Sequence, residues 1–162
     1  MRDRKQVYID WMKARMSSVS CLKSLRFAVD CSNGMASIFA HELFPEAVII
    51  NDTLDGTFPN HSPNPLKAEA REQIATLVRE KGLDCGVIFD GDADRCMFVD
   101  ERGAFVQPDY LIPVVAKATI AIAEPLNRLT AEPSKMTPQS RFLSRTSAAI
   151  CSLASAFRGF GL

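Results

Sequence analysis

Between Val7 and Ile122 the apolar residues fall into two kinds of segment, and the two kinds alternate. Leu25–Val29 (LRFAV), Ala47–Ile50 (AVII), Cys85–Phe89 (CGVIF) and Cys96–Val99 (CMFV) are short apolar runs bounded by turn residues, as buried strands are. The other kind repeats at helical spacing. Val7–Met16 sets Val7, Tyr8, Trp11 and Met12 on one face, and the aromatic pair is expected to pack against the adjoining domain. Asp30–Gly34 is a polar turn ending in glycine that can start a helix over Met35–Phe44. Leu66–Lys81 carries Ala70, Ile74, Leu77 and Val78 on one face, with Gly82 just past its end. Asn51–Pro65, with Gly56, Pro59, Pro63 and Pro65, reads as a loop. The turn Asp100–Gly103 leads into a short strand, Ala104–Val106, and Asp109–Ile122 closes as an apolar helix.

Strands alternating with helices predict an α/β fold, a three-layer mixed sheet that is mostly parallel. Six residues separate Phe89 from Cys96, too few for a crossover helix, so the fourth strand should run antiparallel at an edge. The expected units are an N-terminal linker helix over 1–19, one domain over 20–122, and a tail over 123–162. That tail mixes Pro, Ser, Thr and Arg with no lasting period, like a disordered segment or a sequence read out of frame.

Composition narrows the function. The net charge of zero conceals unlike blocks: residues 27–122 hold seven basic and fifteen acidic side chains, a net of −8. Such a block is a poor nucleic-acid binder, since phosphate backbones call for a basic face. No apolar run is long enough to cross a bilayer, and the charged N-terminus lacks a signal core. Five cysteines, none spaced CxxC, argue against zinc and a disulfide framework and fit the cytoplasm.

The chemistry concentrates in Asp90-Gly91-Asp92-Ala93-Asp94-Arg95, directly after a buried strand. Alternate side chains of an extended or tight loop share a side, so three carboxylates can converge there. Converging negative charges repel unless a cation neutralises them. Oxygen ligands with no His or Cys beside them favour Mg²⁺ over zinc, and Arg95 adds a fork suited to phosphate. Gly91 would let the backbone leave the strand sharply. The alternative is an exposed acidic turn without a ligand. Two lookalikes fail on spacing. Counted from Asp90, the run imitates a calcium EF-hand loop, but Arg95 stands where that loop needs glycine and both flanks read as strands. Asn51–Thr57 (NDTLDGT) imitates the nucleophile loop of haloacid-dehalogenase phosphatases, yet its aspartates are three apart rather than two.

Three motifs in order carry a family resemblance. Asp90–Arg95 (DGDADR) resembles the DGDxDR metal loop of the α-D-phosphohexomutases, Phe27–Gly34 (FAVDCSNG) the opening strand and turn of their second domain, and Thr57–Leu66 (TFPNHSPNPL) its FPNxxPNP loop. The last favours the phosphomannomutase/phosphoglucomutase branch. The resemblance runs from about Tyr8 to Ile122. It implies a four-domain enzyme that interconverts hexose 1-phosphate and hexose 6-phosphate, with Asp90, Asp92 and Asp94 as Mg²⁺ ligands. It further implies Arg95 beside the transferring phosphoryl group, and a phosphoserine from the first domain completing the metal shell. The phosphoserine motif TASHNP does not occur in these residues, nor do the sugar-reading loop and the fourth-domain phosphate loop. Asn60-His61-Ser62-Pro63-Asn64-Pro65 has similar letters in another order, so Ser62 is read as a turn residue. His61 either faces the cleft or caps a surface turn. The chain alone is therefore expected to be inactive, its partners being the absent first, third and fourth domains. A non-catalytic Mg²⁺-binding or interaction module is the competing reading.

Overall fold

The computed structural model describes residues 3–17 and 24–123. The element order is α1 (Arg4–Met16), β1 (Phe27–Asp30), a 3₁₀ turn (Met35–Ile38), α2 (Ala40–Leu43), β2 (Val48–Ile50), α3 (Ala68–Lys81), β3 (Cys85–Phe89), β4 (Cys96–Asp100), β5 (Phe105–Val106) and α4 (Pro108–Ala123). The tail over 124–162 lies outside the described residues.

One five-stranded sheet has the order β2-β1-β3-β4-β5. β1 pairs in parallel with β2 and β3, and β4 runs antiparallel to both β3 and β5. The reversal at β4 follows from the short return after Phe89, as the sequence implies. One detail differs: the two-residue β5 lies outside β4, so the edge is a hairpin and not β4 itself.

Alternation along the strands feeds two cores. Phe27, Val29, Val87, Phe89 and Phe98 face one way, toward Ile9, Met12, Ala36, Ala40, Leu43 and Leu111. Ala28, Ile88 and Val99 face the other, against Ala70, Ile74, Ala75 and Val78 of α3. Both faces are covered, which is why the parallel strands read as continuous apolar runs. A Cβ on Gly86 would sit 2.7 Å from Ile74 Cγ1, so glycine in β3 lets α3 approach the sheet.

Capping explains where helices begin and end. Asp3 accepts the Lys5 amide and starts α1 three residues before Val7. Its inward face is Ile9 and Met12 with Tyr8 and Trp11 partly covered, while Val7, expected inside, is 47% exposed. Tyr8 meets Phe39 edge-on at 5.1 Å, so the aromatic packing expected of this segment is present. Gly82, at φ 57°, ends α3 with Leu83 N donating to Val78 O. The single helix expected over Met35–Phe44 is instead two short pieces. Ser37 and Phe39 donate three residues back, and the Met35 amide is spent on Gly91 O at 2.9 Å. The break falls at Phe39, φ −118°, between the 3₁₀ turn and α2.

Candidate functional site

Among the described residues, five non-glycine positions have positive φ: Ser32, Asn33, Asn51, Phe58 and Ala93. All lie in loops that follow β1, β2 or β3, so left-handed backbone gathers at one edge of the sheet, beyond the C-terminal ends of its parallel strands. That edge is where open α/β sheets place their sites, and strain persists where surrounding structure enforces it.

Asp90 sits at the end of β3 and its side chain is 1% exposed, whereas Asp92 and Asp94 are exposed. The loop closes on itself, with Asp90 N donating to Arg95 O and Ala93 N to Asp90 O. The turn places one carboxylate oxygen of each aspartate within 4.8 Å of the others. In this respect the alternation expected from sequence is what the loop achieves. The positive φ of this loop falls on Ala93 at 62°, and Gly91 leaves the strand without one. Gly91 instead supplies room, since a Cβ there would lie 3.2 Å from Phe58 Cζ and 3.4 Å from Pro63 Cβ.

Arg95 answers part of the charge. Its Nε donates to Asp90 Oδ2 at 2.7 Å and to Asp94 Oδ1 at 3.3 Å, and its amide donates to Asp90 Oδ1. Burial pushes the Asp90 carboxyl above its ordinary value, against the lowering effect of its bonds with Arg95; contact with Asp94 pushes it further up. Three carboxylates with one guanidinium leave the loop short of positive charge. The donor set is all oxygen, and the described thiols are no competitors. Burial and neighbouring carboxylates push Cys31, Cys85 and Cys96 up to about 12. A hard divalent cation therefore fits these residues.

A second layer of residues, drawn largely from the other two motif segments, supports the loop. Asp30, at the end of β1 and fully buried, accepts the Ser32 amide, Asn51 Nδ2 and His61 Nε2 at 2.8, 3.0 and 3.0 Å. Asn33 gives its Nδ2 to Thr53 O and takes Asn60 Nδ2 on its Oδ1. The signal available in the sequence was an aspartate inside a buried apolar strand, which must find partners. Of the two places expected for His61, the cleft and a surface turn, the structure shows neither: the ring is buried. Its side chain is 5% exposed, between Asp30 and the Ser62 carbonyl. Ser62 contributes that carbonyl to the latch. The two aspartates of the phosphatase lookalike have separate duties: Asp52 pairs with His41 at 2.6 Å, and Asp55 caps its own turn through Thr57.

Both ring nitrogens of His61 face acceptors, so both bonds form only when the ring is protonated. Its pKa is raised, first by the bond to Asp30 and against the lowering effect of burial. A raised folded value means that the stabilisation is complete below the ordinary 6.5 and fades as pH climbs through the folded value. His61→Leu should therefore cost about 1.5–3 kcal/mol at pH 5.5, the worth of a charged hydrogen bond, and less at pH 9. Paired thermal melts at the two pH values test this; a pH-independent gap would refute it.

A family profile described as phosphoglucomutase/phosphomannomutase, alpha/beta/alpha domain II, matches residues 6–103. A Xanthomonas campestris protein named for phosphohexose mutases is 38% identical over 124 residues, covering 74% of this chain and 28% of that protein. A Salmonella montevideo phosphomannomutase is 40% identical over 123 residues, covering 70% and 27%. A crystal structure of a Burkholderia thailandensis phosphoglucomutase/phosphomannomutase family protein superposes with a TM-score of 0.58 at 26% identity, over 72% of this chain and 26% of that one. A crystal structure of a Thermus thermophilus protein reaches 0.61 at 20% identity, over 75% and 29%, and so speaks for the fold alone. The chain spans little more than a quarter of the length of these relatives. It belongs to the phosphoglucomutase/phosphomannomutase family, and the part that matches is the α/β/α second domain.

Proposed function

We propose that this chain is the metal-holding part of a phosphohexomutase, with Asp90, Asp92 and Asp94 binding Mg²⁺ and Arg95 steadying the phosphoryl group in transfer. The observation that carries the reading is the convergence of three carboxylates at the sheet edge, in a chain of this family. Bound there, Mg²⁺ would offset the negative charge of a phosphoryl group as it moves between hexose hydroxyl and serine. The chain's own residues do the rest. Asp90 is fixed by burial and by Arg95, while Asp92 and Asp94 stay open to the side from which an anion arrives. Arg95 is 56% exposed and can turn its fork toward that anion without leaving the loop. The substrates are hexose 1- and 6-phosphates, and the working partners are the family's first, third and fourth domains. The unpaired thiols Cys31, Cys85 and Cys96 suit a reducing cytoplasm.

Catalysis also needs a phosphorylatable serine beside the metal, so the isolated chain is expected to show no turnover of glucose 1-phosphate or mannose 1-phosphate, with Mg²⁺ and a hexose bisphosphate present. Separately made first, third and fourth domains should restore measurable activity in a coupled assay. Robust turnover by the chain alone would overturn this reading. Mg²⁺ binding with no restoration would favour a non-catalytic Mg²⁺-binding module.

A further inference from the structure

The loop over 57–65 presses on the aspartate loop from outside. Phe58, at φ 51°, and Pro63 both lie against the Cα of Gly91, as the near-contacts of a Cβ there show. A bulky residue holds a left-handed backbone only when its neighbours enforce it. Phe58 N donates to Asp55 O at 3.0 Å, and between Phe58 and Pro63 the loop is tied down at residues 60 and 61. Asn60 is bonded to Asn33, and His61 reaches the buried carboxylate of Asp30 at 3.0 Å. On the inner side, the Met35 amide holds Gly91 O. The aspartate loop is thus clamped between the turn after β1 and the proline-rich loop, and one buried pair joins the two jaws.

We infer that His61 is a positioning residue: its hydrogen bond to Asp30 seats the 57–65 loop, which in turn holds Asp90, Asp92 and Asp94 together. The consequence for metal affinity rests on the proposed Mg²⁺ site; the consequence for loop order does not. His61 touches neither substrate nor metal in this role. Among the described residues Asp30 is the charged group that faces its ring, and the other polar neighbour is the Ser62 carbonyl.

Amide hydrogen exchange of the full chain without metal tests the clamp. Met35, Asp90 and Ala93 report on it, because their amides make the bonds that shape the loop. His61→Leu should speed their exchange by at least ~10-fold beyond whatever change in overall stability imposes on the α3 amides, as local opening does. His61→Gln, which keeps a donor near the place of Nε2, should restore most of the protection. Mg²⁺ affinity, measured by calorimetry, should fall by about 10-fold in His61→Leu, as when a ligand's supporting partner is lost. Should His61→Leu fail to fold, Phe58→Ala removes the ring from Gly91 with the buried pair intact, and it should loosen the same three amides. Wild-type exchange at those amides in a folded variant would overturn the inference, and so would equal acceleration throughout α3. If the wild-type chain bound no Mg²⁺, the metal reading would fall, and exchange alone would decide on the clamp.

Discussion

Gly34→Ala should cost the domain roughly 3 kcal/mol or more, the upper end of overpacking penalties, and lower its melting point by ~10–20 °C. The reason is space, not conformation. Gly34 has φ −100°, which any residue can adopt. A Cβ at this position would stand 2.5 Å from Gly91 O and 2.9 Å from Gly91 Cα. The obstacle is backbone, so no rotamer change relieves it. Either the turn after β1 or the aspartate loop must move, and the Met35 N to Gly91 O bond breaks with it. The variant should therefore lose stability and carboxylate convergence together. Calorimetric melting compared with wild type checks the first; a melting point within a few degrees of wild type would show that the two turns are not in contact.

Asp92→Asn should weaken Mg²⁺ binding by at least ~100-fold, since even supporting residues around metal ligands are worth 10–100-fold. Its effect on stability should be small, because the side chain is exposed and serves no described hydrogen bond or ion pair. Asp90→Asn should lose binding as well, but also stability. Arg95 would then lose the carboxylate that takes both its Nε and its amide. The contrast between the two variants separates ligation from folding.

Much of this was legible in the chain. The strands at Cys85–Phe89 and Cys96–Val99, the reversal between them and the helix ending at Gly82 follow from local pattern and turn chemistry. The three aspartates announce themselves by spacing. What escaped was set by contacts distant in sequence. Met35–Phe44 has a helical pattern but breaks at Phe39 into a 3₁₀ turn and a short α-helix. Val7 shares a helical face with buried residues, yet α1 packs with Ile9 turned inward and Val7 47% exposed. Asp30 and His61 are 31 residues apart and belong to no common motif; only the fold joins them. Gly91 was expected to ease the exit from the strand, and the close approach of the Phe58 ring to it depends on a loop some thirty residues earlier.

The most direct test of the metal site is a titration of Mg²⁺ into the chain, followed by amide NMR with Asp92→Asn as control. The expected result is a saturating, one-to-one change concentrated on Asp90–Arg95 and its neighbours Gly34 and Met35, absent in the control. A dispersed, unsaturable drift over all acidic residues, or no change at millimolar Mg²⁺, would contradict a metal site in this loop.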